Sequence, residues 1–255
     1  MTLLNSIIIV FIYMNLWFLI ALWKKNNAVV DIAWGLGFIM LALYNLIANH
    51  TLLSVILFII ILFWGGRLSL HLFKRNWKTK EDFRYQKWRH EWGKCFLIRS
   101  YLQVFMLQGL IMLIISSPLI FSDLGKIRIF WLLILGIVIW VIGFIFESVA
   151  DYQLKKHLSV PANCGIIYME GLWRYSRHPN YFGESLMWWG IYFISLYNFS
   201  LWKLSLIISP ILLTYLLVFV SGIPLLEEKY KNNPIFLKYA SKTSRFIPWF
   251  VEKGG

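Results

Sequence analysis

The chain has 255 residues, of which 59% are hydrophobic and 18% aromatic, while only 15% are charged. A soluble chain of this length cannot bury so much apolar surface in one core, so the composition excludes a soluble globular enzyme and indicates an all-α, multi-pass membrane protein. The net charge of +13 would point to nucleic acid in a soluble protein, but basic cytoplasmic loops and anionic membrane lipids account for it here, and no nucleic acid is expected as a partner.

Seven apolar runs follow in chain order, at about 3–22, 29–48, 51–72, 99–121, 127–149, 180–199 and 201–221, on the roughly 20-residue length a spanning helix needs. The first begins at once, without a basic leader or a small-residue cleavage site, and reads as a retained helix. The second opens "VVDIAWGLGF", with Asp31 and Trp34 three apart near its start. Its glycines do not form GxGxxG, so no Rossmann fold is expected. Very short connections make 29–48 with 51–72, and 180–199 with 201–221, read as helical hairpins. The third run ends "WGGRLSLHLFKR", where Arg67, His71 and Arg75 recur at every fourth position on one face. A polar segment, 73–98, follows with Glu81, Asp82, Arg84 and Tyr85, and Tyr85 is expected in a loop.

The fifth run ends "FIFESVADYQLKK". Glu147 and Asp151 are four apart, share a face, and call for a cationic partner such as Arg174 or Arg177. The sixth begins "RHPNYFGE". Pro179 suits the first helical position, where a missing N–H is harmless. Arg174, Arg177 and His178 beside the positive end of that helix make an anion site of the kind a phosphate requires. Asn180 and Glu184 share the next face, Gly183 leaves a gap beside them, and Trp188 adds an aromatic wall. An interfacial arginine belt with a capped helix accounts for the same residues. The polar tail after Ser221 either covers this end as a lid or follows the headgroups. Cys95 and Cys164 lack partners at metal or disulfide spacing, so no metal site is expected. No repeat or low-complexity linker appears, and residues 1–255 read as one domain.

Orientation follows from the basic residues. Residues 24–28, 73–99, 150–179 and the tail hold 21 of the 25 lysines and arginines, and the opposite side holds three, Lys126, Arg128 and Lys203. The positive-inside rule then puts the amino terminus outside and the carboxyl terminus in the cytoplasm, which needs an odd number of spans, seven.

The stretch "GLWRYSRHPNYFGE", the seven-helix layout and the ending "YASKTSRFIPW" resemble the steroid 5-alpha-reductase superfamily, most of all a bacterial branch related to the sterol reductases and the isoprenylcysteine carboxyl methyltransferases. "VDIAWGLGF", "GGRLSLHLFKRNWKTKEDFRY" and "FESVADYQL" extend the resemblance over nearly the whole chain. It implies an integral membrane reductase, in a bacterial cytoplasmic membrane, that binds NADPH and reduces a carbon–carbon double bond of a lipid or steroid-like enone. Carried over by position, it implies that Asn180 and Glu184 hold the nicotinamide end and that Asp151 and Tyr181 contact the cofactor. Arg174, Arg177 and His178 fall in the phosphate-facing stretch, and Glu228, Tyr239 and Arg245 where the family closes over the cofactor. The steroid enzymes pair a catalytic tyrosine with a glutamate, but "LSLHLFKR" holds no tyrosine. The proton donor is therefore expected to be His71, oriented by Asp31, with Tyr85 ranked third. Two rival readings stand beside this one. An S-adenosylmethionine-dependent methyltransferase of the isoprenylcysteine type shares the "RHPxY" segment. A scaffold or transporter is the other, although transporters place polar groups at the midplane and show repeats.

Overall fold

The computed structural model describes residues 2–77, 81–163 and 165–250, without the side chains of Arg75, Asn76 and Phe83. Cys164 and the Arg75 side chain, both singled out above, lie outside the described residues. The helices are α1 (Leu3–Lys24), α2 (Val29–Asn49), α3 (Leu52–Asn76), α4 (Phe83–Trp92), α5 (Phe96–Arg99), α6 (Leu107–Ile115), α7 (Ser117–Ile120), α8 (Phe130–Leu158), α9 (Pro179–Ser195), α10 (Ile208–Tyr215), α11 (Ile223–Glu227) and α12 (Pro234–Lys242). Two short strands, β1 (Ile127–Arg128) and β2 (Asn198–Phe199), pair antiparallel with Ile127 opposite Phe199.

Among the described residues, six helical segments are long and apolar enough to cross a membrane: Leu3–Lys24, Val29–Asn49, Leu52–Lys74, Arg84–Ile115, Phe130–Leu158 and Leu201–Tyr230. The protein is thus an all-α, multi-pass membrane protein. The expected seventh span is α9, which has 17 residues. At 1.5 Å per residue it reaches roughly 26 Å, short of a hydrocarbon core of about 30 Å. Pro179 fixes its start, and the turn into β2 ends it at Ser195 rather than at 199.

Within the polar segment after α3, residues 83–92 form a helix that its composition does not suggest. Asp82 caps α4, its Oδ1 accepting the Arg84 backbone N–H at 3.0 Å. Trp88 and Trp92, one turn apart, stack with centroids 5.2 Å apart. Tyr85 therefore sits on a helix and not in a loop.

The chain divides into two compact units, residues 1–128 with 195–206, and residues 129–194 with 207–255. In the first, His50 in the left-handed region (φ 52°) turns α2 back into α3. Thr51 and Ser54 then exchange side-chain and backbone hydrogen bonds at 3.0 and 3.1 Å, a capping box that starts α3. The two helices touch through backbone, since a Cβ on Gly35 would lie 2.6 Å from the Gly65 carbonyl. Lys203, counted from the sequence among the few cations of the outer side, is fully buried. Its ammonium donates to the carbonyls of Ser122 (2.7 Å) and Ser195 (2.8 Å), tying two helix ends together.

In the second unit, α8 and α9 run against each other along two glycine pairs. A Cβ on Gly136 would stand 2.6 Å from the Gly190 carbonyl, and one on Gly143 would stand 2.6 Å from that of Gly183. The seven-residue spacing on both helices brings each pair to the same seam, and small residues there allow backbones to close up. This corrects the reading of Gly183 as a gap beside Asn180: the backbone of α8 fills that space.

Candidate functional site

The second unit carries the polar row. Glu147 (3% exposed) and Glu184 (8%) are buried on α8 and α9. Nδ2 of Asn180 donates to Asp151 Oδ1 at 3.2 Å, while the Asn180 amide oxygen is buried and meets no donor. Tyr181 stacks on the His178 ring, centroids 5.7 Å apart. Trp188, one turn beyond Glu184, is fully buried. The seam between two close-packed helices thus holds Asp151, Asn180 and Glu184 with an amide oxygen still able to accept a hydrogen bond.

The arginine-rich segment before α9 is pinned from both sides. Toward α8, the Leu172 N–H donates to Gln153 Oε1 (3.0 Å) and the Trp173 indole donates to the Ala150 carbonyl (3.1 Å). On its other side it is zipped to the tail. The Arg177 N–H donates to the Ser244 carbonyl (2.8 Å), the Ser176 hydroxyl to that of Phe246 (2.7 Å), and the Trp249 N–H to that of Tyr175 (3.0 Å). The Tyr239 hydroxyl donates to the Trp173 carbonyl, and burial raises its pKa well above the usual tyrosine value.

Arg177 and His178 are both bonded to groups of the carboxyl-terminal region. The Arg177 guanidinium donates to Glu227 from Nε (2.8 Å) and Nη2 (3.3 Å), and from Nη1 to the carbonyls of Ala240 (2.9 Å) and Thr243 (3.1 Å). The last two are orphan acceptors at the end of α12. His178 Nε2 lies 3.0 Å from Glu227 Oε1. A carboxylate only accepts, so Nε2 carries the proton. Burial lowers the His178 pKa by more than the bond to Glu227 raises it, which keeps the ring neutral at pH 7. Arg245 Nε stands 3.9 Å from the same carboxylate. Glu227 is the hub of this cluster, and sequence reasoning missed it in favour of its neighbour Glu228, which is exposed and pairs with Lys231. Arg174 stays exposed beside the start of α9.

In the first unit, Asp31 and Tyr85 come together. The Tyr85 hydroxyl donates to Asp31 Oδ1 (3.2 Å) and Arg84 Nη2 to Oδ2 (3.4 Å). The Tyr85 ring is 3% exposed, within an apolar cluster that includes Val30, Val104 and Phe105. Glu81 fastens α4 in place: its carboxylate accepts the Asn27 backbone N–H (2.8 Å) and two bonds from Arg89 (2.9 Å each). His71 is exposed on α3.

The profile of a family described as a protein of unknown function, DUF1295, matches residues 17–243. The chain belongs to the DUF1295 family. The matched stretch takes in α2 through α12, and with them every candidate residue above except Arg245. This DUF1295 chain is also similar to an uncharacterized protein of Schizosaccharomyces pombe, 25% identical over 95% of this chain and 78% of the relative. No solved structure matches it.

Proposed function

We propose that this DUF1295 protein is a membrane reductase of the steroid 5-alpha-reductase kind, using NADPH to reduce a carbon–carbon double bond of a lipid or steroid-like enone. The observation that carries the reading is the α8–α9 seam. Its Asp151–Asn180–Glu184 row, with a buried Asn180 oxygen that accepts nothing from the chain, suits a ligand bearing amide N–H and hydroxyl groups. Asn180 and Glu184 would hold the carboxamide end of the cofactor, Asp151 would accept from a hydroxyl, and Arg174 would face phosphate. Arg177 and His178 serve indirectly, by fixing the carboxyl-terminal tail, residues 235–250, as a strap over this end. When bound, NADPH supplies a hydride.

Reduction of an enone builds negative charge on its carbonyl oxygen, and a positioned donor lowers that barrier. Tyr85 is the donor we assign, ahead of His71, because its hydroxyl is held by an acid from a second helix. Such a tyrosine–carboxylate pairing resembles that of the steroid enzymes. A substrate carbonyl reaching Asp31 would take over the Tyr85 hydrogen bond. Asp31, beside Arg84, orients the hydroxyl. Tyr85→Phe should keep NADPH binding but lose roughly a hundredfold or more in turnover of an enone lipid, the usual loss for one such donor. Undiminished turnover by Tyr85→Phe contradicts the assignment.

The same reading takes α9 as a short seventh span, with the amino terminus outside, the carboxyl terminus in the cytoplasm, and a bacterial cytoplasmic membrane as the setting. A reporter fused after Lys155 should then read cytoplasmic, and an exported signal there would reverse the orientation.

A further inference from the structure

We infer that the outward side of the carboxyl-terminal strap, residues 235–250, is a membrane-surface contact that rests on anionic phospholipid headgroups. Its inward side is fully used: Phe236 and Tyr239 are buried, and the backbone is bonded to residues 173–177. These bonds fix which side chains face away. They include Ile247 (60% exposed), Trp249 (70%) and Phe250 (81%) beyond α12, and Ile235 (59%) and Leu237 (53%) on it. Exposed apolar groups of this size need an explanation in a segment whose other side is already packed.

Charge and position select the occupant. Residues 234–250 hold Lys238, Lys242 and Arg245 and no acidic residue. The last membrane-length segment ends at Tyr230. Charged residues return at Glu227, Glu228, Lys229 and Lys231, so the strap follows directly on the point where the chain leaves the apolar layer for the headgroups. Aromatic and aliphatic side chains beside lysines, at that depth, are the pattern of an interfacial segment on anionic lipid. The inference is independent of the reductase reading.

The test uses the full-length protein with Cys95→Ser and Cys164→Ser, reconstituted in vesicles, with one fluorescent label on Trp249→Cys or, separately, on Phe250→Cys. Vesicles of phosphatidylcholine alone are compared with vesicles containing phosphatidylglycerol. A nitroxide on the lipid headgroup should quench the label strongly and aqueous iodide weakly, with the contrast greatest in phosphatidylglycerol. Lys238→Gln with Lys242→Gln should weaken the contact about fivefold per charge removed. Iodide quenching that is strong and the same in both vesicles overturns the inference. So does shielding from both quenchers that grows with protein density, which would assign the surface to a second copy of the chain.

Discussion

Gly183→Val is expected to leave little folded protein. A Cβ at this position would stand 2.5 Å from the Glu147 backbone nitrogen and 2.6 Å from the Gly143 carbonyl. Those are backbone atoms of α8, with no flexible end to give way, so the two helices must part. Overpacking a tight interior usually costs 1–3 kcal/mol, and a backbone obstruction belongs at roughly the upper end or beyond. Separation would also disperse Asp151, Asn180 and Glu184, which the seam assembles. Gly66→Ala is the control, because nothing lies within 4 Å of the added atom. Alanine there should be neutral or stabilise α3 by up to about 1 kcal/mol through helix propensity. Thermal unfolding in detergent, followed by size exclusion, distinguishes the two. A Gly183→Val protein melting like the wild type would contradict the backbone contact.

Breaking the Arg177–Glu227 pair should release the strap. Their side chains are 11% and 18% exposed. Removing one partner of a largely buried pair leaves the other charge uncompensated, at about 3–5 kcal/mol. Arg177→Ala also leaves the Ala240 and Thr243 carbonyls without their donor. Both Arg177→Ala and Glu227→Ala should therefore expose the tail to protease at Lys238 and Lys242. The double variant Arg177→Met with Glu227→Leu should be less damaged than the two single losses added together, since neither charge remains. His178 adds a pH dependence with a definite sign. Its folded pKa lies below the ordinary 6.5, so the neutral ring is the form the fold favours. The stability it brings is present above about pH 6.5 and is lost as the pH falls through the lowered folded value. Tail cleavage should accordingly speed up on acidification, and His178→Asn should blunt that response. Equal cleavage at neutral and acid pH in the wild type would remove His178 from this role.

The long apolar helices were legible in the sequence because length and apolarity alone define them, as in α1, α2, α3 and α8. The start of α9 was legible too, from Pro179. What escaped depended on direction rather than type. Glu227 and Glu228 are chemically alike, and only the fold turns one toward Arg177 and the other toward Lys231. The bonding of Arg177 was not legible because its acceptors, the Glu227 carboxylate and the end of α12, lie at least 50 positions away. α4 was hidden by its polarity, although Asp82 and the Trp88–Trp92 spacing mark a capped, one-sided helix. The glycine seam did leave a signal. Gly136 and Gly143, and Gly183 and Gly190, are each seven apart, a spacing that single-position reading of Gly183 overlooks. A loop position counted against Tyr85, and its place on α4 removes that objection.

The central claim is that the α8–α9 row holds NADPH, and direct titration of the purified protein tests it. NADPH at a hundred times its dissociation constant should stabilise the fold by about 2.7 kcal/mol, read as a rise in melting temperature. Asn180→Ala should abolish that rise while melting normally without ligand, and S-adenosylmethionine should produce none. Protection by S-adenosylmethionine instead of NADPH would contradict the reductase reading in favour of a methyltransferase, and undiminished NADPH binding by Asn180→Ala would contradict the site.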